Sequence, residues 1–202
     1  MLIMLTAMLI VAAVLVLMLK RQKQRSRQRA EALTDYAFPA TVRTAVSAAH
    51  PELSPAQLDD VCSALRDYFG LCQQCGERSL AMPSRVVDEA WHAFILTTGP
   101  YQHFCDTALG YFLHHVPEQL MAHDVAIDDA LKRTWRLACT AEGIDPLAPD
   151  RLPRLFAIDA RLQIADGFHF SLAEMEGPGF EGLLVRKIGC GGGCAGQPVY
   201  EV

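Results

Sequence analysis

Residues 1–29 contain no Asp and no Glu, yet they hold six bases: Lys20, Arg21, Lys23, Arg25, Arg27 and Arg29. The rest of the chain, residues 30–202, sets 23 acids against 12 bases, a net of −11. A body this acidic excludes nucleic acid as a partner, because duplex binding is driven by Lys and Arg neutralising phosphates. Several signatures are missing as well. There is no Gly-x-Ser-x-Gly, no His-Glu-x-x-His and no kinase motif set, which removes the common serine hydrolase, zinc protease and kinase readings. The glycine-rich run GCGGGCAG at 189–196 lacks the Lys-Ser/Thr ending of a phosphate-binding loop. No internal repeat is present. With 51% apolar residues, only 20% charged ones and a mean hydropathy of +0.15, the chain is too hydrophobic for a disordered protein. At 202 residues it is too short for a multi-domain enzyme, which leaves one folded domain with an appendage.

The opening run, MLIMLTAMLIVAAVLVLML, is apolar except for Thr6. As a helix its 19 residues would rise about 28 Å, near the roughly 30 Å of a bilayer core. It has no basic segment before it and no small-residue cleavage site after it, so a removed secretory signal fits poorly. Residues 20–29 read KRQKQRSRQR. Bases beside a span stay on the cytoplasmic side. The expectation is a single-pass anchor over 1–19 in an inner or plasma membrane, with the N-terminus outside. A basic juxtamembrane linker over 20–37 would touch anionic head groups, and the soluble part would lie in the cytoplasm. There the seven cysteines would stay reduced, as small buried hydrophobes unless metal ligation or redox chemistry claims them.

The soluble part reads as a mainly α domain over 38–162 and an irregular, short-stranded appendage over 163–202. Pro39 can open a helix to about residue 49, before His50-Pro51. Ser54-Pro55-Ala56-Gln57 is a capping box with proline at the first helical position. Leu58, Val61, Cys62, Leu65, Tyr68, Phe69 and Cys72 then recur at three- and four-residue steps, and Gly76 can close that helix. Pro83-Ser84 starts another, with Val87, Ala90, Trp91, Phe94 and Ile95 on one face. Gly99-Pro100 breaks it and begins a stripe of Tyr101, Phe104, Cys105, Ala108, Leu109 and Phe112. A helix over about 124–142 stops at Gly143, and a short one spans 152–162. Phe168 to Phe170 and Leu183 to Ile188 are β-prone runs separated by EMEGPGFEG, and the glycine-rich tail reads as flexible.

The densest chemistry lies in VVDEAWHAFILTTGPYQHFCDTALGYFLHH, residues 86–115. Asp88 and His92 are four apart on a predicted helix, so a carboxylate can orient an imidazole or join it on a metal. A turn at Gly99-Pro100 would bring them toward His114 or His115, provided the second helix bends or frays. Cys105 lies on that helix's core stripe, where burial would raise its pKa and leave the thiol inert as a nucleophile. Imidazole, thiolate and carboxylate suit zinc or iron better than calcium or magnesium. The same run, extended back to Met82, resembles the central motif of the glycine-rich domain-containing protein-like family. The similarity continues through TWRLAC, EGIDPLAP and RLPRLFAIDARL over roughly 55–196. It implies that Asp88, Trp91, His92, Tyr101, Cys105, Gly110 and His114 are the shared positions, with Asp88, His92, Cys105 and His114 as the metal set.

Two cysteine pairs stand apart. Cys72-x-x-Cys75 sits at a predicted helix C-terminus, where the helix dipole disfavours a thiolate. Cys190-Gly-Gly-Gly-Cys194 has the freedom to turn both thiolates onto one ion, alone or with Cys72 and Cys75. The leading expectation is a membrane-anchored helical module that binds a protein partner and carries a metal ion. The rivals are a metal-dependent enzyme on Asp88, His92 and His114, and a thiol redox protein on Cys190 and Cys194.

Overall fold

The computed structural model describes residues 2–76, 78–116, 124–175 and 193–195. The fold is mainly helical. Its helices are α1 (Leu2–Asp35), α2 (Ala40–Ala49), α3 (Pro55–Cys75), α4 (Arg85–Ile95), α5 (Thr98–Phe104), α6 (Asp124–Ala141), α7 (Arg154–Leu162) and α8 (Leu172–Met175). A π-helical turn, Cys105–Leu109, extends α5. Three short strands complete the described elements: β1 (Leu80–Ala81), β2 (His114–Val116) and β3 (Gly193–Ala195).

Most of the expected helices form for the expected reasons. The Ser54 hydroxyl accepts from the Gln57 N–H while the Gln57 side chain accepts from the Ser54 N–H, and Pro55 opens α3. The α3 stripe of Leu58, Val61, Leu65, Tyr68, Phe69 and Cys72 is buried. On α4 the residues Val86, Val87, Ala90, Trp91 and Phe94 are fully buried, so this short helix lies in the middle of the core, packed by α2 and α3. An aromatic cluster locks the neighbouring elements together. Phe69 and Phe104 stand 4.8 Å apart between ring centroids, Tyr36 and Phe104 4.7 Å, and Phe38 and Phe94 5.2 Å. Gly143 follows α6 at φ +68, the left-handed conformation that ends a helix.

One polar group in this core holds several segments at once. Asp159, on α7, is 1% exposed. Its carboxylate accepts from the Ser84 hydroxyl at 2.6 Å, the Arg85 N–H at 2.7 Å and the Phe168 N–H at 2.8 Å. Ser84 is the N-cap of α4 and in turn accepts from the Val87 N–H. Asp159 thus satisfies the free N–H end of α4 and lies where the helix dipole favours negative charge. Gly167 makes room for it, since a Cβ there would come within 2.7 Å of the Asp159 Cβ.

The strands form one antiparallel sheet in the order β1-β3-β2. Cys194 pairs with Leu80 on one side and His115 on the other. The tail segment expected to be flexible is therefore the central strand at 193–195. Phe168 to Phe170, expected as a strand, forms none; Phe168 and Phe170 instead bury their rings in the core. The β-prone run 183–188 and Cys190 lie outside the described residues.

The expected membrane anchor is overturned, together with the single-pass topology and the cytoplasmic placement derived from it. Among the described residues, no helix is long and apolar enough to cross a membrane. The N-terminal run and the basic segment form one continuous helix across the boundary drawn at 19/20. The side chains of residues 8–19 stand exposed. At its far end α1 joins the core, where Leu33 is buried and the Arg29 guanidinium lies over Gly110.

Replacing Asp159 with alanine strands the Ser84 hydroxyl and two buried N–H groups, so stability should fall by about 3 kcal/mol or more. Urea unfolding of the Asp159→Ala chain measures this, and a loss below about 1 kcal/mol would show that the carboxylate does not anchor α4.

Candidate metal centre

Helical spacing sets Asp88 and His92 one turn apart on the same face of α4. The third member arrives from β2. The Trp91 indole N–H donates to the Tyr101 hydroxyl at 3.2 Å, and that hydroxyl donates to the Leu113 carbonyl at 2.5 Å. This buried relay ties α4 through α5 to the residue just before β2. It brings the next strand against α4, with the His115 ring edge-on to Trp91 at 4.6 Å.

The result is a carboxylate between two imidazoles. Asp88 Oδ1 stands 3.2 Å from His115 Nε2, and Asp88 Oδ2 stands 3.5 Å from His92 Nδ1. The two imidazole rings are 4.2 Å apart. One ligand atom from each of the three residues lies within 4.8 Å of the others, so Asp88, His92 and His115 can hold a metal ion. Among the described residues no other group of three potential ligands meets this test. The side chains of Asp88 and His115 are 12% and 11% exposed, whereas that of His92 is 49% exposed. Burial lowers the pKa of His92, and the neighbouring His115 lowers it further against the opposing pull of Asp88. The ring is therefore biased toward the neutral form that a metal requires.

Two residues of the expected set lie elsewhere. His114 is replaced by its neighbour, because adjacent strand residues face opposite sides of a sheet. His115 faces Asp88, and the His114 ring packs on Phe112 at 4.8 Å between centroids. The single helix expected from the stripe beginning at Tyr101 does not form. Instead α5 gives way to the π-turn, and Gly110 stops it at φ +81 before the chain reverses into β2. Cys105 is fully buried at the head of that turn, where burial raises its pKa, and it is not among the three residues brought together. Cys72 and Cys75 are buried on the core face of α3. Cys139, buried on α6, has its thiol pushed up to about 11 by burial, with Glu142 adding to the rise.

A mainly helical domain that sets one carboxylate between two imidazoles is the class of protein defined here. The sequence profile of the UCP032817-like family matches residues 28–184, and the chain belongs to that family. This corrects the resemblance to the glycine-rich domain-containing protein-like family. Much of the motif that carried that likeness is core packing, since Trp91, Tyr101 and Cys105 are buried. The matched region also ends before the glycine- and cysteine-containing tail. No curated protein and no solved structure matches the chain.

A histidine whose folded pKa lies below its unfolded value binds protons less readily in the fold. Its contribution to stability is complete above the unfolded value, about 6.5, and is lost as pH falls through the depressed folded value. In the metal-free protein, NMR titration should give His92 a midpoint below 6.5, and stability should rise with pH across that window. A His92 midpoint at or above 6.5 would show that the Asp88 charge outweighs the burial of the ring.

Proposed function

We propose that this chain is a helical binding domain stapled by one transition-metal ion, zinc or iron, on Asp88, His92 and His115. The convergence of their three ligand atoms within 4.8 Å is the observation that carries this reading. A tetrahedral ion with nitrogen and oxygen ligands at about 2.0–2.2 Å keeps those ligands roughly 3.3 Å apart. Asp88 Oδ1 stands 3.2 Å from His115 Nε2 and its other oxygen, Oδ2, 3.5 Å from His92 Nδ1, so each oxygen is spaced for an ion shared with one histidine. Two imidazoles and a carboxylate favour zinc or iron, whereas calcium and magnesium favour oxygen throughout. The near-complete burial of Asp88 and His115 supports a structural role, in which the ion ties α4 to β2. The acidic balance of residues 30–202 points to a protein partner in preference to nucleic acid.

The half-exposure of His92 favours a second reading, a metal-dependent enzyme. Three protein ligands leave a coordination position for water or substrate, and solvent reaches the site beside this ring.

Elemental analysis and calorimetric zinc titration of the full chain test the metal itself. One equivalent is expected, with His92→Ala and His115→Ala each weakening binding by about 100-fold or more, beyond the effect of losing an outer-shell partner. The His114→Ala chain should bind as the parent does. Binding that survives His115→Ala, or is abolished by His114→Ala, would contradict the assignment.

A further inference from the structure

The six bases of residues 20–29 do not spread evenly around α1. Arg21, Arg25 and Arg29 recur every four residues, so they share one face of the helix, about 6 Å apart along its axis. That face borders a cleft of about 610 Å³, lined also by Gln22 and Ser26 and, from α3, by Gln73. We propose that this cleft binds a phosphate-bearing anion through the three guanidinium groups. It shares no residue with the Asp88, His92 and His115 group and needs no metal there.

Charge is the first argument. Among the described residues no carboxylate pairs with Arg21, Arg25 or Arg29, although the neighbouring Arg27 pairs with Glu31. In the body, Arg43, Arg154 and Arg161 pair with Asp59, Asp67 and Asp60, while Arg66 and Arg133 donate to backbone carbonyls. Like charges one turn apart on a helix repel, and a bound anion relieves that repulsion. Preorganisation is the second. The half-buried Arg29 packs its guanidinium on Gly110, where a Cβ would collide with it. The Gln73 amide is held by donating to the Ala108 carbonyl at 2.8 Å, which leaves it a second N–H to offer. Groups fixed in advance lower the ordering cost of binding.

Donor geometry and size select the ligand class. A guanidinium fork matches two oxygens of one phosphate, and clustered arginines read phosphate groups in many recognition sites. The cleft lies within the roughly 300–1,000 Å³ of small-ligand pockets and is far larger than one phosphate ion needs. A diphosphate, or a phosphate carrying an organic group, fits that space. An extended polyanion does not, because the net −11 of residues 30–202 would repel it beyond the cleft.

Calorimetric titration of the full chain with pyrophosphate, without added metal, tests this. One equivalent should bind, and succinate at the same concentration should not compete. Arg21→Gln with Arg25→Gln leaves the Arg29 contact with Gly110 intact and should weaken binding by about 100-fold. Lysine at both positions should weaken it by about tenfold, because the planar forks are lost. Lys20→Gln with Lys23→Gln removes the same charge away from the cleft and should cost about threefold or less. His115→Ala should bind as the parent does, which separates this site from anion capture by a metal. Phosphatidic acid vesicles identify the source of the phosphate. Co-sedimentation lost with Arg21 and Arg25 but kept without Lys20 and Lys23 would place it on a lipid headgroup; pyrophosphate binding alone would place it on a soluble ligand. Failure of both probes, equal losses from the two charge-matched pairs, equal binding of succinate, or loss of binding in His115→Ala would overturn the proposal.

Discussion

The Asp159 carboxylate holds the start of α4 and the turn at Phe168 with one set of hydrogen bonds. A buried charge is tolerated only where donors surround it, and here the donors are the N-cap hydroxyl and free N–H groups of a helix end. Because α4 is central to the core, fixing its first turn fixes the helix. The orientation of Asp88 and His92 follows from that, one and two turns further on. Ser84 serves the same end twice, capping α4 and donating to Asp159. Gly167 completes the arrangement by leaving the space the carboxylate occupies.

The candidate centre thus depends on contacts made some distance from it. Trp91, Tyr101 and the Leu113 carbonyl form a buried relay that decides where β2 begins relative to α4. A shift of one residue in β2 would exchange His115 for His114, since neighbouring strand residues face opposite ways. Packing of Trp91 against His115 on one side, and of Phe112 against His114 on the other, favours the observed choice. The metal reading and the fold are therefore coupled through a few aromatic side chains.

The helices are legible in the sequence where local chemistry agrees with the packing. The capping box at Ser54, the N-cap at Ser84 and the stop at Gly143 all act as their residue types predict. Asp88 with His92 is legible as an i, i+4 pair. His115 is not separable from His114, because no local pattern announces a three-residue strand whose partner lies nearly 80 residues away. The likeness that selects His114 and Cys105 draws on positions that are conspicuous in a sequence because they pack. Trp91, Tyr101 and Cys105 are core or relay residues in the fold. The role of Asp159 is hidden because an acid on a short helix normally reads as surface. Length and apolarity alone suggest a span for the N-terminal run, yet among the described residues no helix is long and apolar enough to cross a membrane.

The central claim is that one metal ion sits where α4 meets the small sheet. Crystals of the zinc-loaded full chain, measured on either side of the zinc absorption edge, test it most directly. The account predicts a single anomalous peak bonded to Asp88, His92 and His115, at metal–ligand distances of about 2.0–2.2 Å for nitrogen and oxygen. A peak elsewhere, or none between these side chains, would contradict it and leave Asp88 as a carboxylate hydrogen-bonded to His115 with His92 beside it.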